Sequence, residues 1–342
     1  MRALCLSMVH LIRTIDAHVG GQPLRLIVDG LPPIGGRSLA GRIDRFARTA
    51  DYVRRALVKL PRGHEGMTAA VLLEPATPGA HASLICMDAD GYPPLVGHAV
   101  IGAATVAIER GLLFTGERVP ERRIVFDTLA GTVSAMARVQ AHGERIHVDS
   151  IAMTNAPAFV HTAARAVRVG SRELRVDVAF GGQFHAIVDT EAVGIPLEMS
   201  RLPDLRRLAV DLLTSLNAAA RIEHPAEPTL RGVSAVTLTA APRDPEAHLR
   251  NVTIGASGAV DLSGGVTGTS AVMAVLDAMG LLADDQVFVH EGLSGAVLRG
   301  RPIRRTEVGG LPALITEITG SAWITGEHTF VLDDDDPFRE GF

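Results

Sequence analysis

Two stretches decide the fold: Val96–Leu113, VGHAVIGAATVAIERGLL, and Gly265–Leu282, GVTGTSAVMAVLDAMGLL. Laid on one another without a gap, each opens on a glycine-containing turn and continues as an apolar helical run of about three turns. Each then closes on Gly-Leu-Leu, where the glycine serves as a C-terminal stop. A second echo precedes each run in the same order: Gly20-Gly21-Gln22 and Gly181-Gly182-Gln183 both open an apolar strand, ending at Val28-Asp29 and Val188-Asp189. Two matches in one order indicate a duplicated domain. The expected fold class is α/β, with two similar halves, each a mostly antiparallel, barrel-like sheet around a central helix. Facing halves bring two helix N-termini to one cleft, where free N–H groups and the positive ends of the helix dipoles suit a carboxylate.

Outward from these runs, strands are expected at Leu24–Val28, Ala69–Leu73, Ala186–Val188, Val233–Leu238, Asn251–Ile254 and Leu314–Ile318. Helical periodicity adds Asp44–Leu57 and Leu202–Ala220, besides Val100–Arg110 and Ser270–Met279 in the repeat. A chain of 342 residues exceeds what one core usually supports. Cys5 and Cys86 are the only cysteines, too few for a disulfide framework, a Cys-rich zinc site or an iron–sulfur cluster. With 33 Lys and Arg against 38 Asp and Glu, and no basic block, the chain is not expected to bind nucleic acid. Residues 1–12 lack a long apolar core and a small-residue cleavage site, and no run of 18 apolar residues occurs, so a cytoplasmic protein without a membrane partner is expected.

The residues reached this way resemble the proline racemase family, which includes hydroxyproline epimerases and trans-3-hydroxyproline dehydratases. The resemblance is carried by Ile15-Asp16-Ala17-His18-Val19-Gly20-Gly21, Pro61-Arg62-Gly63-His64 and Gly91-Tyr92-Pro93-Pro94-Leu95-Val96-Gly97-His98. In the second half it runs through Ala179-Phe180-Gly181-Gly182, residues 248–252 and residues 261–271, and it ends on residues 322–326 and Asp336-Pro337-Phe338. It implies a fold like that of diaminopimelate epimerase, with a first half of residues 1–173 completed by 318–342 and a second of 174–317. It implies an active site between the halves that takes a proline-like amino acid, uses no metal, pyridoxal phosphate or nicotinamide, and sets one cysteine on each face of the α-carbon. A homodimer is a candidate assembly.

The family cysteines fall on Val96 and Gly265, whose side chains can neither take nor give a proton. The repeat pairs these same two positions, so the alignment is not slipped. Cys86, in the apolar stretch Ala82–Met87, reads as a buried structural thiol, and Cys5 has no mechanism attached. His98 is the leading candidate for proton transfer, although a histidine that orients the turn or binds ligand is the commoner case. By resemblance, Gly97, His98, Ala99, Asp261, Val266, Thr267 and Gly268 hold substrate, with Asp261 at the amine. Thr267, Thr269 and Ser270 read by default as N-caps, and no partnered base supports nucleophilic catalysis by them. His18 and His64 read as buried or supporting histidines, and Asp333–Asp336 as a solvated turn rather than a cation site. Three readings stay open: an isomerase or lyase working at the α-carbon without the cysteine pair, a silent binding or regulatory relative, and an enzyme with a different small carboxylate substrate.

Overall fold

The computed structural model describes residues 9–113, 120–143 and 145–342, so Cys5 lies outside the described residues. The chain begins with β1 (Val9–Val19), β2 (Gln22–Asp29), α1 (Leu39–Thr49), α2 (Asp51–Val58), β3 (Thr68–Leu73) and β4 (Ala82–Met87). It continues through α3 (Gly97–Glu109), β5 (Glu121–Thr128), β6 (Gly131–His142), β7 (Arg145–Thr154), β8 (Ala158–Val169), β9 (Arg172–Phe180) and β10 (Phe184–Asp189). Then come α4 (Thr190–Val193), α5 (Leu202–Ala219), β11 (Val233–Ala240), β12 (Leu249–Gly255), β13 (Val260–Asp261) and α6 (Val266–Ala278). The last elements are β14 (Phe288–Gly292), β15 (Val297–Val308), β16 (Leu311–Gly320) and β17 (Ala322–Asp333).

Strand pairing repeats along the chain. From β1 to β7 the successive pairs are antiparallel, parallel, antiparallel, parallel and then twice antiparallel, with α3 between β4 and β5. The same sequence of pairings runs through β9, β10, β11, β12, β14, β15 and β16, with α6 before β14. The duplication read from the two glycine-helix runs is therefore a duplication of topology. β8 closes the second sheet by pairing with both β9 and β16, while β17 completes the first by pairing with β1. The chain thus crosses between the halves at residues 155–157 and again at Ser321. The crossing strands bond to each other: Glu317 faces Thr154, Leu314 faces Ala158, and Asn155 N–H donates to Thr316 C=O at 2.9 Å. β8 forms an antiparallel hairpin with β9.

The central helices are buried almost all round, which is why their sequences read as unbroken apolar runs. Every residue of α3 from Gly97 to Ile108 is buried, as is α6 from Val266 to Ala274. One core joins Ile101, Phe126 and Ile151 of the first half to Met273, Phe288 and Ile318 of the second. Separate cores form under α1 and α2 and under α5. The stretch expected as one helix at Asp44–Leu57 is two, because the Ala50 backbone leaves helical geometry at φ −143°, ψ 19°. Ser38 caps the first of them, accepting from Gly41 N–H at 3.2 Å.

The continuous core makes a definite demand on its contacts. Ile101 is fully buried on α3, so Ile101→Ala is expected to lower unfolding free energy by about 2–5 kcal/mol. Urea denaturation checks this, and a loss below about 1 kcal/mol would show that α3 is not packed as described.

Candidate active site

A cleft of about 360 Å³ lies between the N-termini of α3 and α6. Val96, Gly97 and His98 line it from one side, and Asp261, Gly265, Val266 and Thr267 from the other. Ala99 and Gly268, also expected at the site, stand just behind the wall and are buried. A larger open groove of about 1030 Å³ crosses β5, β6, β7 and β16 but contains none of these residues. The smaller cleft is the candidate because both helix starts converge there.

No side chain caps either helix. The first intrahelical bonds run from Val100 N–H to Val96 C=O and from Thr269 N–H to Gly265 C=O. The N–H groups of residues 97–99 and 266–268 precede them and have no carbonyl within their own helix to donate to. These are the residues expected to hold a carboxylate. The expected capping by Thr267, Thr269 and Ser270 is not found, because each hydroxyl turns to a neighbour instead. Thr267 Oγ1 meets His185 Nε2 at 3.1 Å, Thr269 Oγ1 meets His290 Nδ1 at 2.9 Å, and Ser270 Oγ accepts from Asn155 Nδ2 at 2.7 Å. Thr267 therefore has a partnered imidazole that no local spacing announced.

The two helix starts touch. A Cβ built on Gly97 would fall 2.1 Å from Val266 Cβ, so the helices can approach this closely only if residue 97 has no side chain. Position 265 is different. Its backbone sits at φ +62°, where side chains are strained, yet the nearest atoms a Cβ there would meet, Asp261 Oδ2 at 3.4 Å and Thr253 Oγ1 at 3.5 Å, lie at ordinary contact distance. Space is open beside the Asp261 carboxylate. Its other oxygen, Oδ1, is fixed by Ser263 N–H at 2.8 Å and Ser263 Oγ–H at 2.6 Å. Opposite, Val96 has ordinary extended geometry at φ −124° and packs against the core.

His98 is buried, with Nε2 3.1 Å from Thr68 Oγ1. Burial pushes its imidazole below the ordinary value, opposed by the Asp261 carboxylate and by a hydrogen bond to the Pro23 carbonyl. The ring is thus neutral near pH 7 and already has two partners. Cys86 lies behind the wall and does not line the cleft, and burial pushes its thiol up to about 12, although Val96 N–H donates to it. It is the structural cysteine expected. His64 is exposed rather than buried, its ring donating to Glu65 C=O at 2.8 Å. The Pro61–His64 stretch serves instead to bind Arg25, which donates to the carbonyls of Leu57 and Arg62 and pairs with Asp16 at 2.8 Å. Within the acidic run, Asp336 pairs with Arg62 and Asp334 with Arg339. Among the described residues no cluster of His, Cys, Asp and Glu is placed to hold a metal ion.

The paired helix starts and duplicated sheets define a class of two-half α/β proteins with an interdomain cleft. Residues 14–342 match the family described as proline racemase, and the chain belongs to that family. It is 36% identical over 333 residues to a proline racemase of Acetoanaerobium sticklandii, covering 97% of this chain and 98% of that one. It is also 36% identical over 330 residues to a trans-3-hydroxy-L-proline dehydratase of Bacillus cereus, covering 96% and 97%. A hydroxyproline epimerase of Agrobacterium vitis, solved with bound trans-4-hydroxy-L-proline, superposes with a TM-score of 0.89 at 29% identity, over 97% of this chain and 94% of that one.

The contact between the helix starts predicts a coupled pair. Gly97→Ala is expected to cost about 1–3 kcal/mol by overpacking, and Val266→Gly in the same chain should recover part of it. A double-mutant cycle in urea checks the coupling, and simple additivity would refute the contact.

The buried histidines predict acid lability. Burial pulls His185 from 6.5 to about 4 and His290 from 6.5 to about 3, and lowers His98 as well. Their folded values lie below the unfolded one, so this stability is intact above pH 6.5 and is lost as pH falls toward the folded values. Each contributes a slope of up to ~1.4 kcal/mol per pH unit in that window. Asp88, raised by burial, opposes them as a single group. Urea midpoints should fall steadily from pH 7 to 4.5, and a flat profile would contradict the burial of these rings.

Proposed function

We propose that this chain binds a proline-like or hydroxyproline-like amino acid in its cleft and, without a cofactor, removes the α-proton from one face only. The observation that carries this reading is the unequal chemistry of the two walls. Around position 265 the wall is protic, with Asp261 Oδ2 and Thr253 Oγ1 both within 3.5 Å of the absent Cβ. At position 96 it is aliphatic.

Inverting an α-carbon requires an acid–base group on each face, since a proton leaves from one side and returns on the other. Elimination of water requires only one base for the α-proton. The reading is therefore a lyase acting on a hydroxyproline rather than a racemase. The ligand carboxylate takes the free N–H groups of α3 and α6, which are fixed before the ligand arrives. Asp261 Oδ2, held in direction by the Ser263 bonds to Oδ1, is the base. His98 holds the turn and the ligand, its neutral ring tied to Thr68. The site belongs to one chain, and a homodimer leaves it complete in each copy.

Incubation with trans-3-hydroxy-L-proline and with L-proline in deuterated water tests this. The hydroxyproline should be consumed and proline should keep its configuration. Asp261→Asn should slow consumption by about 10²–10⁴-fold, while His98→Ala should chiefly weaken binding. Formation of D-proline, or full activity in Asp261→Asn, would overturn the reading. A thermal shift with neither substrate turned over would instead identify a silent binder.

A further inference from the structure

Beneath Gly265 and α6, four side chains from separate elements form an unbroken hydrogen-bonded line. Thr253 Oγ1 lies 3.1 Å from Thr237 Oγ1, Thr237 Oγ1 lies 3.0 Å from His185 Nδ1, and His185 Nε2 lies 3.1 Å from Thr267 Oγ1. The middle members are fully buried, while Thr253 and Thr267 both line the cleft. Thr267 Oγ1 also accepts from Gln183 Nε2 at 3.3 Å. The helix rests directly on this line: a Cβ at Gly268 would stand 3.0 Å from Thr253 Oγ1 and 3.1 Å from Thr237 Oγ1. A side chain at 268 would press on Thr253 and Thr237, so the glycine lets α6 sit directly on the line.

We propose that Thr253, Thr237, His185 and Thr267 form a proton relay with both ends in the cleft, so that one end hydroxyl at a time offers its proton to a ligand. A neutral imidazole has one N–H and one lone pair, and each hydroxyl has one hydrogen. If Nε2 bears the hydrogen, it donates to Thr267, whose own O–H is freed toward the cleft. Nδ1 then accepts from Thr237, Thr237 accepts from Thr253, and the Thr253 hydrogen points inward. If Nδ1 bears the hydrogen, every bond reverses: Thr253 offers its proton to the cleft and Thr267 donates to the ring. The ring is neutral because it is wholly buried and its bonds are to hydroxyls alone.

This rests on the ligand-bearing cleft proposed above and adds the acid that elimination requires. Asp261 takes the α-proton, the C–H electron pair forms the carbon–carbon double bond, and the C–O bond breaks. The departing hydroxyl takes the Thr267 proton and leaves as water. Nε2 resupplies Thr267, Thr237 resupplies Nδ1 and Thr253 resupplies Thr237. Thr253 in turn takes the proton from Asp261, its partner across the β12–β13 ladder. The net change is loss of one water, and no group is left charged that began neutral. Exchange with cleft water at the two ends restores the starting direction. His185 and Thr237 touch no substrate and are positioning residues.

The tautomer of His185 reads the relay directly. In protein labelled with ¹⁵N-histidine at pH 7, the His185 signals are identified by their loss in His185→Phe. Thr253→Val removes the acceptor for the Thr237 hydroxyl, which then donates to Nδ1, so the ring should move to the Nε2–H form. Thr267→Val removes the partner of Nε2 and should drive the ring to Nδ1–H. Opposite movements from the two ends are the expected result, and a merely packed histidine gives no such pair. An imidazolium at pH 7, or the same tautomer in both variants when both fold, overturns the relay. Saturating trans-4-hydroxy-L-proline should then fix one tautomer in the native protein. Binding with no change in the ring overturns the coupling to ligand. Absence of binding overturns the cleft reading, while the two-variant result stands on its own.

Discussion

Two helices begin within van der Waals contact of each other, and the rest of the molecule is arranged around that approach. Gly97 has no room for a methyl group against Val266, so the separation of α3 and α6 is set by the smallest residue on one side and a branched residue on the other. Six backbone N–H groups without intrahelical partners then share one small volume. Helix starts that face each other repel through their dipoles. The structure offsets this by burying both helices in a single apolar core and by crossing the chain twice between the halves. An anion between the helix starts relieves the repulsion that remains.

The duplication is clear in topology and broken in chemistry. In the first half, the helix contributes an imidazole, His98, which meets a threonine of the neighbouring strand, Thr68. In the second, the helix contributes a threonine, Thr267, and the imidazole comes from β10 to stand between it and Thr237. The two sides of the cleft thus present related groups in different order. With Val96 at one helix start and Gly265 at the other, the difference in hydroxyl and carboxylate placement is what distinguishes one wall of the cleft from the other.

Much of this was legible in the sequence, and for physical reasons. Helices buried all round appear as apolar runs, and their glycine-led starts as a repeat, so Val96–Leu113 and Gly265–Leu282 located the fold and the two helix starts that meet at the cleft. The local break at Ala50 was not legible, since Ala favours helix and no Pro or Gly marks the site. The hydroxyls of Thr267, Thr269 and Ser270 carry no sequence sign of whether they cap the helix, because a hydroxyl at a helix start has the same spacing whether it turns to its own backbone or to a distant ring. His185, Thr237 and Thr253 gave no signal. They lie on three different strands, and only the fold makes them neighbours. Asp261 was expected at the ligand amine; the space beside its Oδ2 follows from a backbone angle at 265 that no residue pattern specifies.

The second crossing bears on how the polypeptide becomes a protein. β17, residues 322–333, supplies the partner of β1, the first described strand, along its whole length. The sheet that begins first on the ribosome therefore waits for a strand that follows the whole of the second sheet. Meanwhile its N-terminal strand has an open edge, the feature that invites pairing with another chain. Long-range closure of this kind is slow. Synthesis order and folding order run in opposite senses here, and the second half, whose barrel is built from consecutive strands, is free to form before the first is finished.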